Sequence, residues 1–566
     1  MSAITCLVAI GIGNAALAQT LTRASVNSVL VQGNSNSYGG KVSADGRYVV
    51  FASDSTNLVT GDGNNASDIF VHDMQTGGTS RVSLGFGGQQ PNAGSYSPSI
   101  SGDGHYIAFV SDATNLVPVD TNSKTDVFVR DQLAGSITRV SVSSLGEQGD
   151  GYSYQCAISS DGRYVAFTST AYNLAQGGAF GYPSVYVRDL QMGTTVCASV
   201  NPSGQSGTGG SSYPSITADG HYVAFQSDST DLVPGDTNAA TDIFVRDMLL
   251  GVTVSPTVDP NWVIGNAASD GPSISADGRY VAFDSSATNF VLGDTNGLTD
   301  VFVKDVQTGT VVRASVDSAG SQGVGGSSYQ AAISGDGRYV AFSSAATNLV
   351  ANDSNGRTDV FLHNLQGGQT IVLSAAMTQG NLDSFEATIS GDGRFIGFQS
   401  DATNLVPGDT NGVQDVFLYD SAALCGGQTL YCTAKVNSQG CAPQICAEGQ
   451  PSISGPDNFY VTAHSELNNK TGIFLWSLAP NSVPLGGGLL CLHSPIVRTP
   501  GQNSGGTPGV NDCTGTYSFF FSHAYIAAHS LGSGSTVYGQ YWSRDPFFAP
   551  PTNIGLTNGI QFTISP

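Results

Sequence analysis

The chain has 566 residues, more than one hydrophobic core supports, so its length allows two or more domains. Only 11% of its residues are charged, and 43 acidic against 20 basic side chains give a formal charge of −23, which excludes the basic surface that a nucleic-acid partner needs. The four glutamates (Glu147, Glu386, Glu448, Glu466) leave nearly all the acid as Asp, a turn former, so long helices are not expected and β structure is.

Residues 1–18, MSAITCLVAIGIGNAALA, are apolar and end in Ala-Leu-Ala before Gln19, which fits a secretory signal peptide although the positively charged start is missing. Export is therefore expected, to the periplasm, the cell surface or the medium. No later stretch has the ~18 uninterrupted apolar residues needed to span a membrane.

Residues 20–27, TLTRASVN, match the strand-like TVVRASVD at 310–317. From there the string Ser-x-Asp-Gly-Arg/His-aromatic-Val/Ile-x-Phe recurs with its Asp at 45, 103, 161, 219, 277, 336 and 392, in steps of 58, 58, 58, 58, 59 and 56. Each copy reads as four short strands. In the second they are 98–101, 106–110, 126–131 and 136–142, with a turn at Asp103-Gly104. Units of this kind stack as propeller blades, with a solenoid as the alternative. The orphan at 20–27 favours the propeller. Arg23 lies 22 residues before Asp45, as Arg81 does before Asp103, so the orphan is an outer strand able to complete the seventh blade and close the ring. Residues 428–432 compete for that place.

At SADGRYVVFAS (43–53) and SADGRYVAFDS (275–285) the chain resembles the TolB-type, WD-like β-propeller repeats of exported bacterial proteins. The resemblance covers about 20–420 and implies the fold, not an activity, because propellers host many functions. The fold expected is all-β: a seven-bladed propeller over 20–420, then a Cys-rich segment and a small disulfide-containing β-sandwich over 421–566.

Between the second and third strands of most copies runs Gly-Asp-Thr-Asn-Gly-x-x-Asp. Its oxygen side chains are Asp62/Asn64/Asp68, Asp120/Asn122/Asp126, Asp236/Asn238/Asp242, Asp294/Asn296/Asp300, Asp353/Asn355/Asp359 and Asp409/Asn411/Asp415. Two readings stand. Hard cations such as Ca²⁺ take clustered carboxylate and carbonyl oxygens from tight loops, and six such ions would offset about half of the formal charge. Alternatively, Asp and Asn close turns onto the backbone with no ion. The third copy breaks the pattern at 175–186. The Asp-Gly turns, identical in every copy, are architectural, since a catalytic group is needed once.

No zinc-protease or serine-hydrolase motif occurs, and Glu147 and Glu386 lack an evident partner. A binding site is expected where repeats deviate. Trp262 stands in 252–264, which replaces the fourth outer strand, and Tyr172, Phe180 and Tyr182 stand in the altered loop of the third copy. Exposed aromatics there suit a glycan or protein partner.

Beyond Asp420, strand-like runs appear at 459–464, 472–478, 516–521 and 535–542. Cys425, Cys432, Cys441, Cys446, Cys491 and Cys513 suggest three disulfides, with Cys491 paired to Cys513 and local pairing among the first four. Zinc fits their spacing poorly. The end, 538–566, resembles a β-rich terminal module of secreted bacterial proteins, which implies an attachment or sorting role. The reading is an exported, non-enzymatic binding or scaffold protein with calcium as a candidate stabiliser. The alternatives are a carbohydrate-active lyase or glycosidase and a purely structural cell-surface component.

Overall fold

The computed structural model describes residues 20–566 apart from 179–180, 259–260, 262, 376–378, 422–428, 432–433, 436, 439–442, 449–450, 455–458, 468, 506–514, 547–549, 551–552 and 566. The expected signal peptide lies outside the described residues. Seven four-stranded antiparallel sheets form the first part. Blades one to six occupy 37–81, 95–139, 153–197, 211–254, 269–313 and 328–372. Blade seven takes three strands from 384–420 and its outermost from Thr20–Arg23, with Thr20 opposite Asp420 and Arg23 opposite Phe417. The innermost strand of each blade touches that of the next, and that of blade seven touches that of blade one, so the blades form a closed circle. The competing segment Thr429–Tyr431 pairs instead with Gly559–Thr563. This is a β-propeller closed by its N-terminal strand.

The recurring Ser-x-Asp-Gly string builds the turn between the first and second strands. Ser43 Oγ donates to Asp45 Oδ1 at 2.7 Å, Asp45 accepts the Arg47 N–H at 3.0 Å, and Ser43 Oγ accepts the Tyr48 N–H at 2.9 Å. The glycine has two jobs. Gly104 takes φ +74, and a Cβ there would lie 2.3 Å from the ring of Tyr48 in the preceding blade. The same collision recurs around the circle and ends with Phe395 of blade seven against Gly46 of blade one, at 2.3 Å. The turn thus doubles as the seat of the neighbouring blade's aromatic, which is why it appears in every copy.

Alternation supplies the core. In Tyr106–Ser111 all residues after the first are buried, and Phe109 stacks on Phe128 of the third strand with centroids 6.0 Å apart. Outer strands are shorter than the hydrophobic run suggests: in blade two the strand stops at Arg139, and Val142 then bridges to Gln148. Blade four is corrected in the same way. Its outer strand is kept as Val252–Val254, opposite Val245–Asp247, and Thr257 resumes the repeat's serine position.

The C-terminal part contains a seven-stranded and a three-stranded sheet. Its strands Tyr460–Glu466, Thr471–Ser477, Gly515–Phe520 and Thr536–Arg544 lie within a residue or two of the expected runs. Ile445, Val461 and Tyr517 from the smaller sheet share one core with Phe474, Val537 and Ile560 from the larger. Cys446 and Cys491 are disulfide-bonded. Cys425, Cys432, Cys441 and Cys513, and with them the expected pairing of Cys491 with Cys513, lie outside the described residues. Cys156 and Cys197 are free thiols.

Closure rests on a buried ion pair. Arg23 Nη2 lies 2.8 Å from Asp409 and its Nε 3.3 Å from Asp415, with side chains 9% and 1% exposed. Removing one member of a buried pair leaves an uncompensated charge, so Arg23→Ala is expected to cost about 3–5 kcal/mol. The more exposed Arg47, paired with Asp73 at 2.9 Å, is expected to cost about 0–1 kcal/mol on the same change. Denaturant midpoints of the two variants test the contrast; equal losses would refute it.

Candidate functional site

The inner strands carry a feature that shapes the site. Each has a bulge after its second residue, and the third residue adopts a left-handed backbone at Gly39, Ser97, Gln155, Tyr213, Gly271, Gln330 and Glu386. Its freed N–H finds an acceptor on the preceding blade in several cases. Gln399 Oε1 accepts from Gly39 at 2.8 Å, Gln226 Oε1 from Gly271 at 3.0 Å and Gln155 Oε1 from Tyr213 at 3.0 Å. Glycine suits this backbone at no steric cost, whereas a tyrosine there is uncommon.

Tyr213 forms one wall of a cleft of about 590 Å³ between blades three and four. Tyr154 and Gln155 of the blade-three inner strand, Tyr182 from the altered loop, and Gln226 and Asp228 of blade four also line it. Tyr182 and Tyr213 are 52% and 54% exposed, so both rings are open to a ligand. Gln155 is held by the Thr168 hydroxyl at 3.2 Å while it fixes Tyr213, and the Thr241 hydroxyl donates to Asp228 Oδ1 at 2.7 Å. The floor is therefore braced before anything binds. Burial raises the Tyr154 pKa, with Tyr213 nearby adding to the effect, so it stays a neutral donor. Aromatic faces with amide, hydroxyl and carboxylate groups are the chemistry that holds a polyhydroxylated ring.

Of the aromatics expected at a site, Tyr182 lines this cleft and Tyr172 does not, although it is exposed. Phe180 and Trp262 lie outside the described residues. Sequence reasoning missed Tyr154, Gln155, Tyr213, Gln226 and Asp228. The available signal was Tyr213, a bulky residue at the repeat position where blades one and five place Gly39 and Gly271.

The Asp/Asn loops differ from a six-fold cation site. In four blades the chain supplies the cation itself. Arg81 lies 3.0 Å from Asp62 and 3.4 Å from Asp68; Arg139 lies 2.8 Å from Asp120 and 3.4 Å from Asp126. Arg313 lies 3.1 Å from Asp294 and 3.5 Å from Asp300, and Arg23 serves Asp409 and Asp415. The asparagines turn their amide nitrogens to the acids, as Asn64, Asn122, Asn296, Asn355 and Asn411 do at 2.7–3.1 Å. Their oxygens accept backbone N–H groups two residues on, including that of Asn238 from Ala240 at 3.0 Å. No cluster of three or more His, Cys, Asp or Glu side chains able to hold a metal occurs among the described residues. Nor is any helix among them long and apolar enough to cross a membrane.

The sequence matches no protein-family model and no curated protein. Among solved structures it is similar to the β-propeller domain of the trilobed protease from Pyrococcus furiosus, at 12% identity, covering 68% of this chain and 93% of that one with a TM-score of 0.43. A putative TolB from Agrobacterium tumefaciens shows 18% identity, coverage of 62% and 97%, and a TM-score of 0.34. An oligogalacturonate lyase in complex with manganese shows 13% identity, coverage of 71% and 94%, and a TM-score of 0.44. The class that the sheets define is thus a seven-bladed β-propeller, with TolB among its structural neighbours.

Asp284 occupies the place that Gln226 and Gln399 hold in blades four and seven, and accepts the Gln330 N–H at 3.2 Å. Burial, reinforced by Asp270, pushes its carboxyl up to about 7. The folded state then keeps a proton that the unfolded state releases near pH 4, so this group's contribution falls as pH rises from about 4 to about 7. Asp284→Gln is expected to remove that slope and raise the melting temperature at pH 8. Parallel curves for variant and parent from pH 4 to 8 would contradict it.

Proposed function

We propose that the protein is an exported, non-enzymatic β-propeller that binds a glycan in the cleft between blades three and four. The observation that carries this reading is the pair of exposed tyrosines, Tyr182 and Tyr213, facing a rim of Gln155, Gln226 and Asp228. Sugars present C–H faces that stack on aromatic rings and hydroxyls that suit amide and carboxylate partners. A binding role fits better than hydrolysis. Glycosidases use two carboxyl groups across the scissile bond, and Asp228 is the one acid lining this cleft among the described residues. Export is supported by the apolar N-terminal stretch and by disulfide bonding of Cys446 and Cys491, since disulfides persist in oxidising compartments. The C-terminal part serves in this reading as an attachment module.

A glycan array probed with the full chain, followed by calorimetry on the best ligand, tests the proposal. Tyr213→Ala and Tyr182→Ala are each expected to weaken binding about 2- to 10-fold, as lost aromatic stacking does, with the fold intact by circular dichroism. Binding indifferent to both substitutions would place the ligand elsewhere, and turnover of the bound glycan would make the protein an enzyme.

A further inference from the structure

The acids of the Asp/Asn loops follow a rule of charge compensation, visible because the repeat supplies its own controls. Where the outer strand carries arginine (Arg23, Arg81, Arg139, Arg313), two buried carboxylates face it. Blade three lost all three charges together. Gly178 and Ser184 stand for the acids and Cys197 for the arginine. The Tyr186 hydroxyl fills part of the room, 2.2 Å from where a Cβ on Gly178 would lie, and donates to Ala171 O at 2.9 Å.

Blade four breaks the rule. Asp236 and Asp242 remain, at 8% and 0% exposure, but Ser255 stands where the arginine should be. Ile264 replaces the loop glutamine that sits at Gln32, Gln148 and Gln322 in other blades. Among the described residues Asp236 forms no ion pair, and both its oxygens and Asp242 Oδ2 are buried with no hydrogen bond of good geometry. The Asn238 backbone N–H favours the charge of Asp236, and the Asn238 side chain that of Asp242. The other Asp242 oxygen accepts the Thr257 hydroxyl at 2.7 Å, and Ser255 Oγ lies 3.0 Å from that hydroxyl. Blade six is the intermediate case. Val372 replaces the arginine there, yet Gln379 still donates to Asp353 at 3.3 Å.

We propose that a calcium ion takes the place of the missing guanidinium in blade four, held by Asp236 and Asp242 with hydroxyl, backbone and water oxygens completing its shell. Two buried carboxylates with no internal cation attract one from solution, and an all-oxygen setting suits a hard divalent ion.

The test uses the full chain, stripped with EDTA and titrated with CaCl₂ in the absence of any glycan, so its failure is separate from that of the binding cleft. Calorimetry is expected to show a site with half-saturation at about 0.1–1 mM, the range of extracellular modules, and melting is expected to rise about 2 °C at saturation. Ser255→Arg, which restores the sister-blade residue, is expected to abolish this site and to raise the melting temperature in EDTA. The smaller change Asp236→Asn is expected to abolish calcium binding equally, and serves if the arginine fails to fit. An EDTA-insensitive parent would overturn the proposal in favour of a proton shared by the two acids, and calcium binding retained in Asp236→Asn would move the ion elsewhere.

Discussion

A guanidinium buried between two carboxylates is the tie on which the propeller's closure depends. In blades one, two and five it joins the outer strand to the loop and third strand of the same blade. In blade seven the same tie joins residue 23 to residues 409 and 415, and Ser25 Oγ adds a bond to Asp415 at 2.6 Å. Closing so long a loop carries an entropic cost that a general apolar contact could offset in many registers. A buried pair is selective in a different way. Taking both charges out of water is expensive, so the arrangement is tolerated only in the register where each charge meets its partner. The N-terminal strand thus finds its place by reusing the lock of every ordinary blade.

Between blades, two further devices fix the geometry. The Asp-Gly turn offers its glycine as the floor for the previous blade's aromatic, and the bulged inner strand hands its left-handed N–H to an acceptor one blade back. Both act on neighbours only. Stability accordingly accrues blade by blade, and a blade can depart from the pattern provided its neighbours still find a glycine and an acceptor. Blades three and four do this: their turns keep Gly162 and Gly220, while the outer loops and the inner-strand positions change freely.

This division explains what could be read from sequence. Seven Asp-Gly turns at near-constant spacing and the Arg23 offset were enough for the blade count and the closing strand, because both are local patterns repeated in register. The meaning of the acidic loops was not legible. Asp62 and Asp68 precede Arg81 by more than ten residues, and only the antiparallel return of the outer strand, with Phe70 opposite Arg81, brings the three together. Read without that return, acids at regular intervals look like ligands awaiting an ion. The cleft was half legible: the irregular loop flagged Tyr182, but Tyr213 sits inside a regular strand and stands out only once the bulge shows that its position demands a positive φ.

The two deviant blades also show how a repeat protein can acquire a site without losing its fold. Loss of a compensating arginine alone strands two acids, whereas an outward tyrosine in a bulge disturbs only its own strand. Blade three varied all members of its charge set at once and stayed neutral, freeing the loop that carries Tyr182. Blade four varied the cation alone and kept the acids. Both changes flank the same cleft: Tyr182 forms one side, and Thr241, the residue before Asp242, donates to Asp228 on the other. A cation held by Asp242 would therefore stiffen the strand end that positions Asp228, the one carboxylate lining the cleft among the described residues, which links ligand binding to a blade whose acids lack their arginine.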